Sequence, residues 1–158
     1  MRGLGCKAIC FGLPIALFGT LTSCAPSDPA GTDIGTRSRS GRYQVAIPVC
    51  PGEVVTRASV FPSAGSQNVG DARWSVSGKV DGGRGAVVIV TLGEQGMFST
   101  TQKPLTTQLK REFTFAFESN IHSEEFVLEG SDFAATSDGK WRTSKGIVRA
   151  SQLTATLC

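Results

Sequence analysis

Apolar and polar residues alternate at every second position through much of the chain after residue 42. The clearest run contains Phe113, Phe115 and Phe117, with smaller residues between the rings. Successive side chains of a β-strand point to opposite faces, so this spacing places three rings on one face, toward a core. Similar runs recur roughly every ten residues between turn-forming residues, with no convincing helical period. The pattern predicts an all-β fold, an antiparallel β-sandwich of immunoglobulin-like architecture.

The strand boundaries follow from this alternation and from the turns between the apolar runs. One strand is predicted around the three phenylalanines and another around Phe126 and Leu128. The remaining predicted strands span 43–49, 54–61, 74–80, 87–90 and 147–157.

Two turns and one ambiguous stretch complete the prediction. The glycine-rich segment 81–85 is predicted to join its two flanking strands as a hairpin, and Asp138-Gly139 is a candidate type I′ turn. Residues 93–109 leave three interpretations open, namely a loop, a ragged edge strand or one turn of helix.

The first residues of the chain have the parts of a bacterial export signal. Arg2 and Lys7 precede an apolar run over 8–21 that is too short to span a bilayer as a stable helix. Leu21-Thr22-Ser23-Cys24 closes this run and resembles a bacterial lipobox. The resemblance implies that the Cys24 thiol receives diacylglycerol and becomes the new N-terminus after cleavage. An ordinary secretory signal followed by a coincidental cysteine is the alternative.

Three segments are predicted from these features. Residues 1–23 form a lipoprotein signal peptide, residues 24–41 form the lipidated cysteine and a disordered tether, and residues 42–158 form the β-sandwich. The tether is rich in Pro, Ser, Thr and Gly, and Ile34 is its one sizeable apolar residue, so it buries too little surface to offset the entropy of ordering. The expected location is the extracytoplasmic face of the cell membrane, held by the lipid anchor.

The charge balance argues against a nucleic-acid partner. The chain has 16 Lys and Arg against 13 Asp and Glu, a formal net charge of +3. Removing the predicted signal removes Arg2 and Lys7 and no acid, which leaves a nearly neutral protein. Nucleic-acid binding requires a clustered basic face, and this composition does not provide one.

Two cysteines remain in the predicted globular part, Cys50 and Cys158. In an oxidising compartment outside the cytoplasm, an isolated pair most simply forms a disulfide. A catalytic thiol is the alternative, and it requires a basic partner. Cys6 and Cys10 lie in the predicted signal.

The sequence offers little for catalysis. His122 is the single histidine, and it lies in a polar stretch between two phenylalanine-bearing strands. We predict a solvated loop histidine, although any Ser-His-Asp scheme has to use it as the base. A metal site with Glu124 or Glu125 lacks enough ligands, and these two adjacent side chains point to opposite faces of a strand. The sequence therefore predicts no catalytic residue, no metal and no cofactor.

One basic and aromatic cluster is the candidate binding surface. Lys140, Trp141, Arg142 and Lys145 lie close together near the C-terminus, with Arg149 a few residues further on. Such a cluster suits an anionic lipid, an envelope glycan or an acidic protein surface. A solvated face with Trp141 packed in the core is the alternative.

In organisation the chain resembles small lipoproteins of actinobacteria, including mycobacterial lipoprotein antigens. The shared features are the lipobox at Cys24, a tether rich in small residues, and a compact β domain with one cysteine pair. The resemblance implies anchoring to the outer leaflet of the plasma membrane. The expected function is a lipid-anchored, non-enzymatic interaction module of the cell envelope. The alternatives are a carrier that holds a lipid or glycolipid between its sheets and, third, a hydrolase that uses His122.

Overall fold

The computed structural model describes residues 32–62, 71–83, 86–106, 109, 112–153 and 155. The predicted signal peptide, Cys24 and Cys158 lie outside these residues. In the described part the chain forms ten strands and two short 3-10 turns, Gly130–Asp132 and Ala150–Gln152. The strands are β1 (Gly35–Arg39), β2 (Arg42–Pro48), β3 (Val54–Pro62), β4 (Trp74–Asp81), β5 (Val87–Thr91), β6 (Thr100–Lys103), β7 (Phe113–Ser119), β8 (Ser123–Leu128), β9 (Lys140–Thr143) and β10 (Gly146–Arg149).

The strands form two antiparallel five-stranded sheets that pack face to face. The first sheet has the order β10-β9-β1-β2-β5, and the second has the order β6-β4-β3-β7-β8. The alternation of apolar residues predicted an all-β antiparallel sandwich, and this prediction is confirmed. Within the part of the chain that is described, no helix is long and apolar enough to cross a bilayer.

The core lies between the two sheets and is built from the inward faces of the alternating strands. The rings of Phe113, Phe115 and Phe117 are at most 1% exposed, as the spacing in β7 predicts. Trp74 from β4 is also fully buried in this core. Both sheets contribute inward valines, because a period of two places every second residue of each strand on the core side. The remaining fully buried core residues include Val45, Ile47, Val55, Val60, Val76 and Val88.

The structure corrects two details of the strand prediction and resolves a third. β4 and β5 do not form a hairpin, because β4 pairs with β3 and β6 while β5 pairs with β2 in the other sheet. Part of the ambiguous stretch 93–109 is an edge strand, β6. The last strand ends at Arg149 instead of continuing to residue 157. Alternation identifies a strand, but it does not specify the neighbour with which that strand pairs.

The predicted boundary between tether and domain is also wrong, because β1 lies within the predicted tether. β1 is an interior strand that pairs with β2 over five residues and with β9 through Thr36. Ser40 and Gly41 have φ angles of 52° and 74°, which is the geometry of a two-residue type I′ turn joining β1 to β2. Ile34, the one large apolar residue of the segment, is 8% exposed in the core. Backbone pairing on both sides orders a segment that has few apolar side chains of its own.

Candidate functional site

An open groove of about 670 Å³ lies where the edge of one sheet faces the end of the other. We call it the β8 groove, because the edge strand β8 forms one wall. The other wall comes from the start of β1 and from the turn between β9 and β10. The lining residues are Thr32, Asp33, Ile34, Thr36, Glu125, Phe126, Val127, Leu128, Asp132, Arg142, Thr143, Ser144 and Lys145.

The groove combines an apolar base with a charged rim. Ile34 and Leu128 are buried at its base, whereas Val127 on the β8 wall is 56% exposed. On the opposite wall, the Lys145 ammonium is 3.4 Å from the Asp33 carboxylate, and the lysine side chain remains 76% exposed. An exposed ion pair of this kind contributes little stability, so Lys145 is available to a partner at small cost.

The predicted basic cluster is only partly assembled at this groove. Arg142 and Lys145 line it, and both are exposed. Lys140 is exposed on the same strand as Arg142 and two residues away, so these two side chains share a face of β9.

Trp141 does not belong to the binding surface: of the two interpretations of this residue, packing in the core is confirmed and a place on the binding surface is wrong. Its neighbours along β9, Lys140 and Arg142, face the groove side. Because successive side chains of a strand alternate between faces, the indole lies on the opposite face of the sheet. There it is 1% exposed and packs with Ala46 and Leu153 in a second, smaller core. A Cβ on Gly35 would lie 2.8 Å from the Trp141 Cβ, so only glycine allows β1 to approach this ring.

Arg37 covers the remaining face of the indole. Its guanidinium carbon lies 4.0 Å from the Trp141 ring centroid, and its Nε donates a hydrogen bond to Gln44 Oε1 at 2.9 Å. Burial lowers the pKa of Arg37, the charge of Arg39 lowers it further, and the charge of Asp138 opposes both. Arginine nevertheless remains charged in proteins, so the contact is a cation–π interaction. Trp141 and Arg37 thus stabilise the hairpin that carries Arg142 and Lys145.

His122 is also placed differently from the sequence prediction. It was expected to be solvated, but its side chain is 14% exposed and lies between two carboxylates. Nδ1 is 3.2 Å from Glu53 Oε1, and Nε2 is 3.3 Å from Glu124 Oε1. The ring of Phe117 packs edge-on against the imidazole at 5.5 Å between centroids. The prediction was wrong because the partners come from distant parts of the chain.

Glu53 is the most deeply buried of the three ionisable groups, with a side chain that is fully buried. Its Oε2 accepts a hydrogen bond from the backbone N–H of Cys50 at 2.8 Å, which closes the turn before β3. Its Oε1 and both nitrogens of His122 have no hydrogen bond of good geometry to any described residue. The imidazole lies beside this buried carboxylate oxygen, and the two form an ion pair when the ring is protonated.

Glu124 connects His122 to the first described residue of the chain. The Thr32 hydroxyl donates to Glu124 Oε1 at 2.6 Å, and the Thr32 backbone N–H donates to Oε2 at 3.1 Å. We call the four residues Glu53, His122, Glu124 and Thr32 the histidine cluster. Among the described residues, no group of three His, Cys, Asp or Glu side chains is arranged to hold a metal ion.

Cys50 is 9% exposed and disulfide-bonded. Because Cys158 lies outside the described residues, its identity as the partner remains a prediction. Mass spectrometry of disulfide-linked peptides from the unreduced protein tests it.

The site residues that the sequence did not reveal are buried or apolar. Glu53 follows a Pro-Gly turn and has no neighbour in sequence that indicates burial of a carboxylate. Val127 alternates with its neighbours as a surface residue does, and nothing in that alternation indicates a groove. Comparison with known proteins gives no further guide, since no protein-family model, curated protein or solved structure matches this chain.

Proposed function

We propose that this chain is a lipid-anchored, non-enzymatic interaction module of the cell envelope, which binds an anionic envelope partner in the β8 groove. The observation that carries the proposal is the groove itself. It offers an exposed apolar side chain, Val127, opposite two exposed cations, Arg142 and Lys145. The groove also contains the carboxylates of Asp33, Glu125 and Asp132, of which Asp33 pairs with Lys145 and Asp132 accepts a hydrogen bond from the Glu129 backbone N–H. Apolar surface supplies affinity, and charges on the rim steer an oppositely charged partner.

The filling of the interior favours a module over a carrier. A carrier of a lipid or glycolipid requires an enclosed apolar cavity between its sheets. In the described sandwich, that space is occupied by Trp74 and the three phenylalanines of β7, all at most 1% exposed. A partner therefore finds its accessible surface in the β8 groove at the edge of the sandwich.

The surroundings of His122 favour a binding protein over a hydrolase. A general base requires a ring nitrogen that faces a nucleophile. Here both nitrogens face carboxylates, and the nearby Ser119 hydroxyl bonds to the His122 backbone instead of the ring. The cluster is suited to holding structure together.

The first prediction concerns lipidation at Cys24. We expect Cys24→Ala to abolish labelling with a radioactive or clickable fatty acid, because the thiol that receives the lipid is gone. The protein should appear in the medium or accumulate as uncleaved precursor, as measured by fractionation and immunoblot. Membrane-bound Cys24→Ala protein of mature size would contradict lipidation at this residue.

The second prediction concerns the basic residues on the rim of the β8 groove and on the adjoining strand β9. Reversing Lys140, Arg142 and Lys145 to Glu should weaken attachment to isolated, anionic cell envelopes. The difference from the wild type should be largest at low salt, because high salt already screens the attraction between the wild-type cations and the envelope. Co-sedimentation at increasing ionic strength measures the effect.

A matched control separates this rim from net charge. Lys79 and Lys103 are exposed on the other sheet, and Arg73 is exposed directly before its strand β4. Reversing these three residues changes the total charge by the same amount. We expect this control to retain most of the binding. Equal losses in the two triple variants would show that the rim has no specific role.

A further inference from the structure

We propose that His122 is a proton-operated clasp: as an imidazolium it holds Glu124 and, through it, Thr32, and its deprotonation releases Thr32 from β8. Thr32 also lines the β8 groove. The clasp therefore regulates the shape of that groove. This consequence rests on the proposed function, whereas the clasp itself does not.

The first step of the argument is the protonation state that the geometry requires. A neutral imidazole has one N–H and one lone pair, whereas an imidazolium has two N–H groups. Nδ1 and Nε2 each lie within 3.3 Å of a carboxylate oxygen. These contacts are within ion-pair distance but lack hydrogen-bond geometry, and two carboxylate charges beside the ring favour its charged form, so the arrangement fits the imidazolium.

The second step identifies which carboxylate moves when the proton leaves. Two carboxylates around a neutral ring repel each other without a cation between them. The Glu53 side chain is fully buried and fixed by the Cys50 N–H, whereas the Glu124 side chain is 17% exposed. Glu124 can therefore turn toward water, and Glu53 cannot.

The third step follows the effect to Thr32. Its backbone N–H and its hydroxyl both donate to the Glu124 carboxylate. When Glu124 turns away, Thr32 loses both acceptors. Thr32 and its neighbours Asp33 and Ile34 form part of one wall of the β8 groove, so this wall becomes looser at higher pH.

Other charged groups on the surrounding elements are engaged elsewhere. Asp33 pairs with Lys145, and Glu118 on β7 pairs with Arg57. Glu125 is adjacent to Glu124 on β8 and points to the opposite face of the strand. Glu53 and Glu124 are the two carboxylates within ion-pair distance of the ring in the described part of the chain. Histidine changes charge between about pH 5 and 8, a range that an envelope protein meets.

The test is a pH titration of the full chain in detergent micelles by NMR. The His122 ring protons and the Thr32 amide should titrate with one common midpoint. Above it, the protection factor of the Thr32 amide, which removes the pH dependence of intrinsic exchange, should fall about 10- to 100-fold, the size expected for loss of a charge-assisted hydrogen bond.

Two variants make the test specific. In Glu124→Gln, the His122 ring should still titrate, but the Thr32 amide signal should no longer change with the same midpoint. The neutral amide of the new glutamine forms no ion pair with the imidazolium, so its position does not depend on the charge of His122. In Glu112→Gln, which removes the same charge from an exposed position at the far end of β7, the common midpoint should remain. This titration uses no partner, so its failure is distinguishable from failure of the proposed function.

The clasp is refuted if His122 does not titrate across this range, or if Thr32 titrates independently of His122. It is also refuted if Glu124→Gln leaves the coupling between them intact.

Discussion

Phe115→Ala is expected to destabilise the folded domain by about 3–5 kcal/mol, which approaches the total stability of many small domains. Phe115 is 0% exposed at the centre of β7 and pairs with Val60 on one side and Phe126 on the other. Removing the ring takes away its burial energy and leaves a cavity that rigid sheets on both sides close only in part. Denaturation by urea, followed by tryptophan fluorescence, measures the loss.

A conservative variant separates loss of volume from disturbance of the strand. Phe115→Leu retains most of the apolar volume and should lose much less free energy of unfolding than the alanine variant. A loss below about 1 kcal/mol for Phe115→Ala would mean that this ring is not part of the sandwich core.

His122→Ala is expected to destabilise the protein by about 3–5 kcal/mol, although the sequence alone predicts no effect. The variant leaves the Glu53 carboxylate buried with no cation beside it, and removing one partner of a buried ion pair carries a cost of this size. It also removes the cation that positions Glu124. Denaturant unfolding of the variant and the wild type in the same buffer measures the effect.

Ile121→Ala is the matched control, because Ile121 is the adjacent residue in the same turn and is 56% exposed. Its loss should stay within about 0.5 kcal/mol. If His122→Ala unfolds with the same free energy as this control, the histidine cluster does not stabilise the fold.

Local patterns in the sequence predicted the sandwich well. The alternation of rings and small residues in β7 is a property of seven consecutive residues, and it identifies the buried face without knowledge of the rest. The same applies to β2, β3 and β5, whose valines and isoleucine fill the core. These predictions succeeded because each strand shows its buried face in its own alternation of apolar and polar residues.

Contacts between distant residues were beyond the sequence patterns. β1 is polar and looks like a tether until β2 and β9 pair with it. Trp141 was ambiguous because its burial depends on Leu153, which folds back after β10. His122 appeared solvated because Glu53 approaches it from another turn. In each case a residue or strand from another part of the chain determines whether the side chains are buried, and no local spacing in the sequence identifies that residue or strand.

The most direct test of the proposed interaction module is photo-cross-linking in intact cells from the β8 groove. A photoreactive amino acid at Val127, which is exposed in the groove, should give a discrete cross-linked product with an envelope component. The same amino acid at Lys79, exposed on the other sheet, should give none. Combining the Val127 probe with reversal of Lys140, Arg142 and Lys145 should remove the product. Equal products from positions 127 and 79, or none from position 127 in protein that reaches the envelope, would contradict a binding site in this groove.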